Sequence, residues 1–346
     1  MLTLEQAQMS EPSRRNAKAT QRATWLRHCL HKVGGSASWT WPMCSKTADS
    51  RAETEPLLQH LCDAPLELPD GAEISLSSIQ TDSGEIIVYR WVPPQARGWI
   101  VLLHGYLLHS LCQASCIAFL LQQGYAVIAP DWPGHGLSEG NRASIDSFQD
   151  YADVLDSVMQ MHACHFPSPP HLIAHSTGAS AWLEYQRTRC ADPFARIVLV
   201  APLLRNQLWH LSCLGIRLAS PWLSSVPRCF RKSSSDPDFL NRMHADPLAP
   251  WSLPLQWSRA QMQWVAQFAD APINERSLWV LQGDRDNVVD WRFGLRRITA
   301  QFPQAHIQLW PGQKHDLLNE ARPARDEIFR QLLKILADPE PAVPTR

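Results

Sequence analysis

The chain has 346 residues, of which 45% are hydrophobic and 19% are charged, and its formal net charge at pH 7 is −1. That length accommodates one large α/β domain or two smaller ones with a substantial core. The near-zero charge gives no indication of a nucleic-acid partner, so we expect none. The nine cysteines include no Cys-x-x-Cys pair and their number is odd, so we expect free thiols in a reducing, cytoplasmic compartment.

Residues 1–56 show no sustained hydrophobic period and mix charged residues with Ser, Thr and Gly. We expect this N-terminal extension to be poorly ordered and residues 57–346 to form a single domain. The extension is basic at SRRNAKATQRATWLRHCLHK but lacks the apolar core of a secretory signal, and no apolar run reaches the ~18 residues of a transmembrane helix. A basic segment can bind an anionic membrane surface, so peripheral contact at the inner membrane surface is the alternative to simple disorder.

From residue 73 onward, short apolar runs alternate with helical patterns. The first two runs, at 73–80 and 85–91, flank the turn TDSG and predict a β-hairpin. Six further runs predict strands buried on both faces, at 99–103, 125–130, 171–175, 196–202, 277–282 and 306–310. Five helices are predicted among them, at 110–123, 146–163, 177–188, 292–302 and 323–337. This alternation predicts an α/β fold with an eight-stranded, mostly parallel sheet and helices on both faces.

The interval 203–272 interrupts the alternation between two predicted core strands. It is rich in Pro, Leu and Trp, and an insertion of this size predicts a cap over the sheet. Trp209, Trp257 and Trp264 are our candidates for an apolar substrate channel or a membrane-docking face, because tryptophan is common at such sites. Ordinary packing in the core is the alternative for all three.

A serine, three acids and a histidine follow three different predicted strands. In an open parallel sheet, ligands bind beyond the carboxyl ends of the strands. Ser176 follows HLIAH and His315 follows HIQLW, while three acids in GDRDNVVD follow SLWVLQ; they are Asp284, Asp286 and Asp290. The chain order Ser, Asp, His is the one expected of the α/β-hydrolase arrangement. The pentapeptide AHSTG alone is a weak signal, because Ala174 stands at the first glycine of the G-x-S-x-G pattern.

These residue types are the ones that acyl transfer requires. A serine hydroxyl is a poor nucleophile near pH 7 and needs a histidine to take its proton. The imidazole needs an ionised carboxylate to fix its tautomer, and the tetrahedral oxyanion needs backbone N–H donors. We therefore predict Ser176 as the nucleophile and His315 as the base, with one of the three acids as their partner. The predicted oxyanion donors are the backbone N–H groups of Tyr106 and Thr177.

Five segments carry a resemblance to a known family. They are HGYLLHS at 104–110, DWPGHGLSEG at 131–140, AHSTGA at 174–179, GDRDNVVD at 283–290 and GQKHDLLNE at 312–320. From about residue 73 to 337 the chain resembles the monoacylglycerol lipase and lysophospholipase branch of the α/β-hydrolase superfamily, often grouped with serine aminopeptidase-like hydrolases. The corresponding family patterns are HGxxEHS, DxxGHGxSxG, GHSMGG, the acid loop and GxxHxLxxE. The chain departs from them at Leu108, where an acid is usual, and at Ala174 and Ala179, which replace glycines.

The resemblance implies a serine esterase with a cap and an apolar acyl tunnel. The implied substrate is a small-molecule lipid ester with a single chain, such as a monoacylglycerol or a lysophospholipid. No metal and no organic cofactor are implied. Asp286 stands at the position of the family's triad acid, which leaves Asp284 and Asp290 as turn and helix-cap residues.

Two other functions stay open. A peptidase or amidase of the same fold would use the same three residues, and for a free α-amino group it would need acids in the cap; the cap contains Asp236, Asp238, Asp246 and Asp270. A catalytically silent ligand-binding protein would keep the pocket without the reaction. The sequence gives no indication of the oligomeric state.

Overall fold

A nine-stranded sheet lies at the centre of the chain in a computed structural model, which describes residues 11–34, 38–42, 68–189 and 192–337. Its strands in chain order are β1 (Ser38–Pro42), β2 (Glu73–Thr81), β3 (Gly84–Val92), β4 (Gly98–Leu103), β5 (Tyr125–Pro130), β6 (His171–His175), β7 (Ile197–Val200), β10 (Leu278–Gly283) and β11 (Ala305–Trp310). Two short strands between β7 and β10 form a separate ribbon, β8 (Ser225–Pro227) and β9 (Ser252–Pro254). The order across the sheet is β1-β2-β3-β5-β4-β6-β7-β10-β11. Along this order, the strands from β1 to β5 pair antiparallel with their neighbours. The strands from β5 to β11 pair parallel with theirs.

The helices connect these strands and cover the sheet. In chain order they are α1 (Glu11–Gly34), α2 (Ala114–Gln122), α3 (Phe148–His162), α4 (Thr177–Thr188), α5 (Trp209–Ala219), α6 (Pro237–Ala245), α7 (Leu255–Ala269), α8 (Trp291–Gln301) and α9 (Arg322–Ala337). The eight predicted strands and the five predicted helices are all present. The helix predicted over 110–123 begins as a 3₁₀ turn, Ser110–Gln113, that leads into α2.

Two hydrophobic cores lie on opposite faces of the sheet. Along β4, Ile100 and Leu102 belong to one core, while Val101 and Leu103 belong to the other. This alternation follows from the two-residue period of a strand, and both sets are apolar because helices cover both faces. One core contains residues of α3, α4, α7 and α8, and the other contains residues of α1, α2 and α9. The predicted helices on both faces are therefore confirmed.

Part of the N-terminal extension is ordered, which the sequence analysis did not expect. In α1, Ala23 and Leu26 are buried in the core shared with α2 and α9, and Arg27 Nη1 donates to Leu137 O at 2.6 Å. The side chain of Asn16 also bonds to the cap at Ser252 Oγ. Sequence periodicity missed this helix because its buried face carries small residues and few large apolar ones. The expected disorder at 1–10, 35–37 and 43–56 lies outside the described residues.

The ninth strand, β1, was not predicted either. It pairs antiparallel with β2 over five residues, from Ser38 opposite Ser77 to Pro42 opposite Glu73. The run SWTWP alternates polar and aromatic residues, but it is only five residues long and is separated from the other predicted strands, so the sequence analysis did not assign it. The division of the chain at residue 56 stays a prediction.

The interval 203–272 contains α5, α6, α7 and the β8–β9 ribbon. It lies between β7 and β10, whose strands are neighbours in the sheet. The helix α7 packs into the core, whereas α5 buries none of its residues. Among the described residues, no helix is both long and apolar enough to cross a bilayer.

Candidate active site

Ser176 lies at the sharp turn between β6 and α4. Its backbone has φ 52° and ψ −111°, in the region that non-glycine residues rarely adopt, and such strain is characteristic of the strand–turn–helix site of a nucleophilic serine. Gly178 lets α4 approach β4 closely, since a Cβ there would lie 2.7 Å from Leu103 Cβ. Ala174 lies within β6 and does not have a positive φ, which explains why alanine is accepted at this position.

A continuous chain of hydrogen bonds links Ser176, His315 and Asp286. His315 Nε2 lies 3.0 Å from Ser176 Oγ, and His315 Nδ1 lies 2.8 Å from Asp286 Oδ2. All three residues are buried. With Nδ1 donating to the carboxylate, Nε2 carries a lone pair that can accept a proton from Ser176 Oγ.

Asp286 is distinguished from the other two candidate acids by its position. Asp284 accepts a hydrogen bond from Gly312 N at 2.7 Å, and Asp290 caps α8 by accepting from Phe293 N at 3.2 Å. Only Asp286 of the three contacts His315. Its Oδ1 accepts from Val288 N and Val289 N at 2.8 and 3.0 Å, and its Oδ2 also accepts from Gln282 Nε2 at 3.1 Å.

Asp286 and His315 each stabilise the charged form of the other. Burial opposes ionisation of Asp286, but the positive charge and hydrogen bond of His315, with the two backbone donors, hold the pKa of Asp286 below its ordinary value. Burial likewise opposes the charging of His315, but Asp286 raises the pKa of His315 above 6.5. Asp286 is therefore an anion at neutral pH, and the imidazolium that forms when His315 takes a proton is stabilised.

Close packing and one buried glutamate hold the histidine loop in place. A Cβ at Gly283 would lie 2.3 Å from Lys314 O, so a glycine is required where the acid loop and the histidine loop meet. Glu320 Oε1 accepts from Lys314 N, and its Oε2 accepts from Ser235 N, each at 2.7 Å. Glu320 thereby ties the histidine loop to the cap.

The two predicted oxyanion donors lie on the backbone next to Ser176. Thr177 is the first residue of α4, and Tyr106 follows Gly105, where a Cβ would lie 3.0 Å from Ser176 Cβ. Within the described parts of the chain, neither Tyr106 N–H nor Thr177 N–H has a hydrogen-bond acceptor. The side chain of Tyr106 stacks on Trp257 with ring centroids 3.8 Å apart, which holds this loop against α7.

Two other histidines near Ser176 are neutral. Burial lowers the pKa of both His104 and His175 to about 3. His104 Nδ1 lies 2.8 Å from Gly105 O, and its Nε2 accepts from Trp132 N at 3.0 Å, so the ring fixes the Gly105 loop. His175 Nε2 lies 3.3 Å from His315 O. Both rings are therefore structural.

A cavity of about 250 Å³ lies between the cap and Ser176. Ser176, His315, Tyr106 and Trp257 line it. Much of its remaining wall is apolar and comes from the 107–108 loop, the cap and the acid loop; this part includes Leu107, Leu108, Leu203, Ile216, Leu240, Met243, Leu253 and Val288. Leu108, at the position where the family pattern has an acid, packs with Phe239 and Met243 under α6.

Two of the three tryptophans predicted to bind substrate do not line this cavity. Trp264 is buried in the core, where it stacks on Phe148 and donates from Nε1 to Glu184 Oε2 at 3.1 Å. Trp209 is partly buried against the same core, with the guanidinium of Arg205 over its ring. The position of Trp264 follows from helix geometry, because residues 257 and 264 lie on one face of α7 but Trp264 is two turns further from the cavity. Trp209 lies in a different helix, α5.

One group of side chains in the described residues has the spacing of a metal site. The ligand atoms of His109, Cys112 and Asp246 lie within 4.8 Å of one another. Burial opposes protonation of His109, but Cys112 and Asp246 raise its pKa well above 6.5, and His109 Nε2 lies 3.1 Å from Asp246 Oδ2. The charges of Arg142 and Arg228 also act on Asp246. The arrangement is therefore that of an ion pair joining the 104–110 loop to the cap.

Sequence reasoning did not single out Arg228 and Asp316, which both line the cavity. Arg228 follows β8 in the cap, and Asp316 follows His315. Asp316 Oδ1 lies 3.6 Å from His175 Nε2, and burial raises the pKa of Asp316. The sequence offered no signal that separates Arg228 from the other charged residues of the cap, such as Arg231 and Lys232.

Residues 94–322 match the protein family described as serine aminopeptidase, S33. The chain is 24% identical over 253 residues to phospholipase YtpA of Bacillus subtilis, a match that covers 70% of this chain and 96% of that protein. It is 26% identical over 256 residues to a monoacylglycerol lipase of Mycolicibacterium smegmatis, covering 68% of this chain and 88% of that one.

Two solved structures share the fold. The crystal structure of monoacylglycerol lipase from Paleococcus ferrophilus aligns with a TM-score of 0.62 at 24% identity, over 72% of this chain and 98% of that one. A soluble variant of monoglyceride lipase from Saccharomyces cerevisiae, in complex with a substrate analog, aligns with a TM-score of 0.64 at 17% identity, over 76% and 94% of the two chains. At these identities the likeness concerns the fold alone.

Proposed function

The chain belongs to the serine aminopeptidase S33 family, within the α/β-hydrolases, and on that premise we propose that it is a serine carboxylic-ester hydrolase that works through an acyl-enzyme. The protein is a hydrolase, and its phospholipase, lipase and lysophospholipase relatives support ester hydrolysis as the reaction. The observation that carries the proposal is the hydrogen-bonded chain from Asp286 through His315 to Ser176.

In the proposed mechanism, Ser176 Oγ attacks the ester carbonyl while His315 Nε2 takes the serine proton. Asp286 holds the Nδ1–H of the imidazole and stabilises the imidazolium. His315 then passes the proton to the leaving alcohol, and the acyl group remains on Ser176. A water molecule, deprotonated by His315, attacks the acyl-enzyme and releases the fatty acid. No metal or organic cofactor enters these steps.

The proposed oxyanion hole consists of the backbone N–H groups of Tyr106 and Thr177. Both lack an acceptor in the described residues, so both are available to a developing negative charge. Gly105 permits the Tyr106 loop to approach Ser176 at close range. Donors of this kind contribute roughly 2.7–4 kcal/mol each to transition-state stabilisation.

The proposed substrate is a lipid ester with one acyl chain, such as a monoacylglycerol or a lysophospholipid. The cavity, at about 250 Å³, is smaller than the roughly 300–1,000 Å³ of ordinary small-molecule pockets. That volume favours one chain over two or three, and its apolar wall suits an acyl group. The names of the relatives, a phospholipase and a monoacylglycerol lipase, agree with this substrate class.

The positions of the cap acids do not favour the peptidase alternative. Asp236 caps α6 by accepting from Asp238 N at 2.9 Å, and Asp246 pairs with His109. Asp316, from the histidine loop, is the one acid among the described residues that line the cavity. A site for a free α-amino group would need a cap carboxylate there. The silent-binding alternative is disfavoured because all three catalytic residue types are present, as Ser176, His315 and Asp286, and are linked to one another by hydrogen bonds.

We also propose that the cap makes peripheral contact with a membrane through α5. The apolar residues Leu211, Leu214 and Leu218 are 65%, 55% and 67% exposed, and Trp222, just beyond the helix, is 86% exposed. A contiguous apolar face of this kind marks a surface that binds lipid or protein. The basic N-terminal residues would add attraction to an anionic surface. We keep cytoplasmic localisation, the hydrolase domain over 57–346 and the cap over 203–272 as parts of this proposal.

The decisive experiment measures fatty-acid release from monoacylglycerol, lysophosphatidylcholine and short nitrophenyl esters, with Ser176→Ala as the control. We expect hydrolysis of the long-chain lipids, no measurable activity of Ser176→Ala, and labelling of the wild-type protein alone by a fluorophosphonate. Cleavage of short esters only would contradict the lipid assignment. A lack of both turnover and labelling would contradict the serine-hydrolase assignment and favour the binding protein.

A further inference from the structure

Two arginines line the cavity, Arg228 and Arg231. Arg231 is exposed and donates to Asn287 O, whereas Arg228 is half-buried within the cap. Arg228 directly follows β8, and its backbone N donates to Trp251 O at 3.0 Å, which fixes the residue within the cap. Its guanidinium lies over the ring of Phe230, 4.3 Å from the centroid, and lines the cavity that also contains Ser176. The charge is thus held by the cap rather than by the sheet.

The guanidinium of Arg228 is only partly satisfied by the protein. Nη1 donates to Pro250 O at 3.1 Å and lies 3.5 Å from Leu107 O. Among the described residues, no carboxylate forms an ion pair with Arg228, and Nε and Nη2 have no hydrogen-bond acceptor. Arg228 is half-buried, and a cation that is partly shielded from water and has no counter-ion is stabilised when an anionic ligand binds.

The neighbouring charges do not neutralise Arg228. Among the acids, Asp246 has the largest electrostatic effect on Arg228. Asp246 is already hydrogen-bonded to His109, whose pKa is raised well above 6.5, and accepts from Leu248 N. Burial raises the pKa of Asp316, which weakens the second nearby negative charge. Burial also lowers the pKa of Arg228 to about 10, so the guanidinium remains charged at neutral pH.

The cavity therefore combines three features: an apolar wall, the Ser176 hydroxyl and an unpaired guanidinium. Leu107, which Arg228 contacts, directly follows Tyr106, a proposed oxyanion donor. An ester whose carbonyl lies at Ser176 would have its alcohol group in the same cavity as the Arg228 guanidinium when its acyl chain lies along the apolar wall. A neutral glycerol group would leave the guanidinium unpaired, whereas a phosphate would accept two parallel hydrogen bonds from it.

We propose that Arg228 binds the phosphate of a lysophospholipid head group, so that the preferred substrate is a single-chain phospholipid rather than a neutral monoacylglycerol. This inference rests on the proposed ester hydrolase and deepens it. Arg228 then acts as a specificity-determining residue. It contributes to substrate binding and takes no part in the proton transfers.

The test compares two substrates that differ in the head group alone: lysophosphatidylglycerol and monoacylglycerol with the same acyl chain. The variants are Arg228→Gln and, as the matched control, Arg259→Gln, which removes the same charge from an exposed position of α7. We expect the wild-type protein to have the higher kcat/KM on the phospholipid. Arg228→Gln should lower the phospholipid-to-monoacylglycerol ratio of kcat/KM about 10- to 100-fold, through KM, because a charge-assisted contact is lost.

A second arm uses glycerol 3-phosphate as a head-group probe and inorganic phosphate as the alternative anion. Glycerol 3-phosphate should competitively inhibit nitrophenyl ester hydrolysis by the wild-type protein, and should inhibit Arg228→Gln at least tenfold less. Equal inhibition by inorganic phosphate would assign the site to a free anion and overturn the head-group proposal. Glycerol serves as the neutral control.

The outcomes separate this inference from the function on which it rests. If Arg228→Gln lowers kcat/KM on both substrates equally, the residue merely joins the Leu107 and Pro250 backbones, and the proposal is wrong. A wild-type preference for monoacylglycerol would also overturn it. In either case, fluorophosphonate labelling of Ser176 and cleavage of nitrophenyl esters would persist. Loss of those two signals would overturn the hydrolase assignment as well.

Discussion

The two long helices of the cap, α5 and α7, come from the same Trp- and Leu-rich insertion but lie in opposite environments. The helix α7 buries seven residues, among them Trp257 and Trp264, and its Trp257 reaches the cavity. The helix α5 buries none, and its leucines face solvent. Composition alone therefore predicted an apolar cap but not which helix belongs to the core and which remains available to a membrane.

The helix α5 also contrasts with the catalytic edge of the sheet, by which we mean the loops that follow β6, β10 and β11 and carry Ser176, Asp286 and His315. There, polar atoms of Asp286, His315 and Glu320 are paired with groups from three separate loops. Such pairing prepares the site before substrate binds, as electrostatic catalysis requires. The helix α5 buries no residue and has no comparable network, so the membrane contact proposed above would involve the cap helix that is packed least against the rest of the protein.

The largest expected effect tests the catalytic edge. Asp286→Asn should lower kcat on the order of 10⁴-fold, because an amide at this position no longer fixes the imidazole tautomer or stabilises the imidazolium. Steady-state hydrolysis of a nitrophenyl ester measures this. Asp284→Asn is the control, since Asp284 contacts the backbone of Gly312 instead. Equal losses in the two variants would contradict the role proposed for Asp286.

The next effect tests the contrast between α7 and α5 directly. Trp264→Ala should lower the free energy of unfolding by about 3–5 kcal/mol, since it removes a fully buried indole from the core. Leu214→Ala, on the exposed face of α5, should change it by less than about 0.5 kcal/mol. Urea unfolding followed by tryptophan fluorescence and far-UV circular dichroism measures both. Similar losses of unfolding free energy in the two variants would mean that the leucine face of α5 is buried in solution.

A third experiment asks whether the exposed face of α5 binds lipid. Leu211→Ser combined with Leu218→Ser should lower the partition onto anionic vesicles at least tenfold, because each buried leucine is worth about 1.5–3 kcal/mol. The thermal unfolding temperature should not fall. Vesicle co-sedimentation gives the measurement, and Ile273→Ser, at another exposed apolar position, provides the control. Unchanged partition would exclude α5 as the docking face.

The smallest effect concerns pH. Because His315 must be neutral to accept the serine proton, kcat/KM should rise with pH through the pKa of His315. Asp286 raises that pKa, so the midpoint should lie above 6.5. In Asp286→Asn this cause is absent, and the midpoint of the residual activity should move to lower pH. A profile of nitrophenyl ester hydrolysis from pH 5 to 9 decides the sign, and a wild-type midpoint below 6.5 would contradict it.

Much of the fold could be predicted because its signals are local. Apolar runs such as 125–130 and 171–175 became strands with the predicted bounds, since a strand buried on both faces must be apolar throughout. The helix α1 was not predicted because its buried face carries small side chains such as Ala19 and Ala23. The strand β1 was not predicted because its alternating run is only five residues long.

The sequence by itself determined the order of serine, acid and histidine and the strand that each follows. It did not determine distances between residues such as Ser176 and His315, which are 139 positions apart and meet only because β6 and β11 end at the same edge. Only the tertiary structure separated Trp257 from Trp264, and only it placed Arg228 in the cavity wall. The physical reason is that hydrophobic periodicity encodes which side of an element is buried, whereas the partners across that surface depend on how the elements pack.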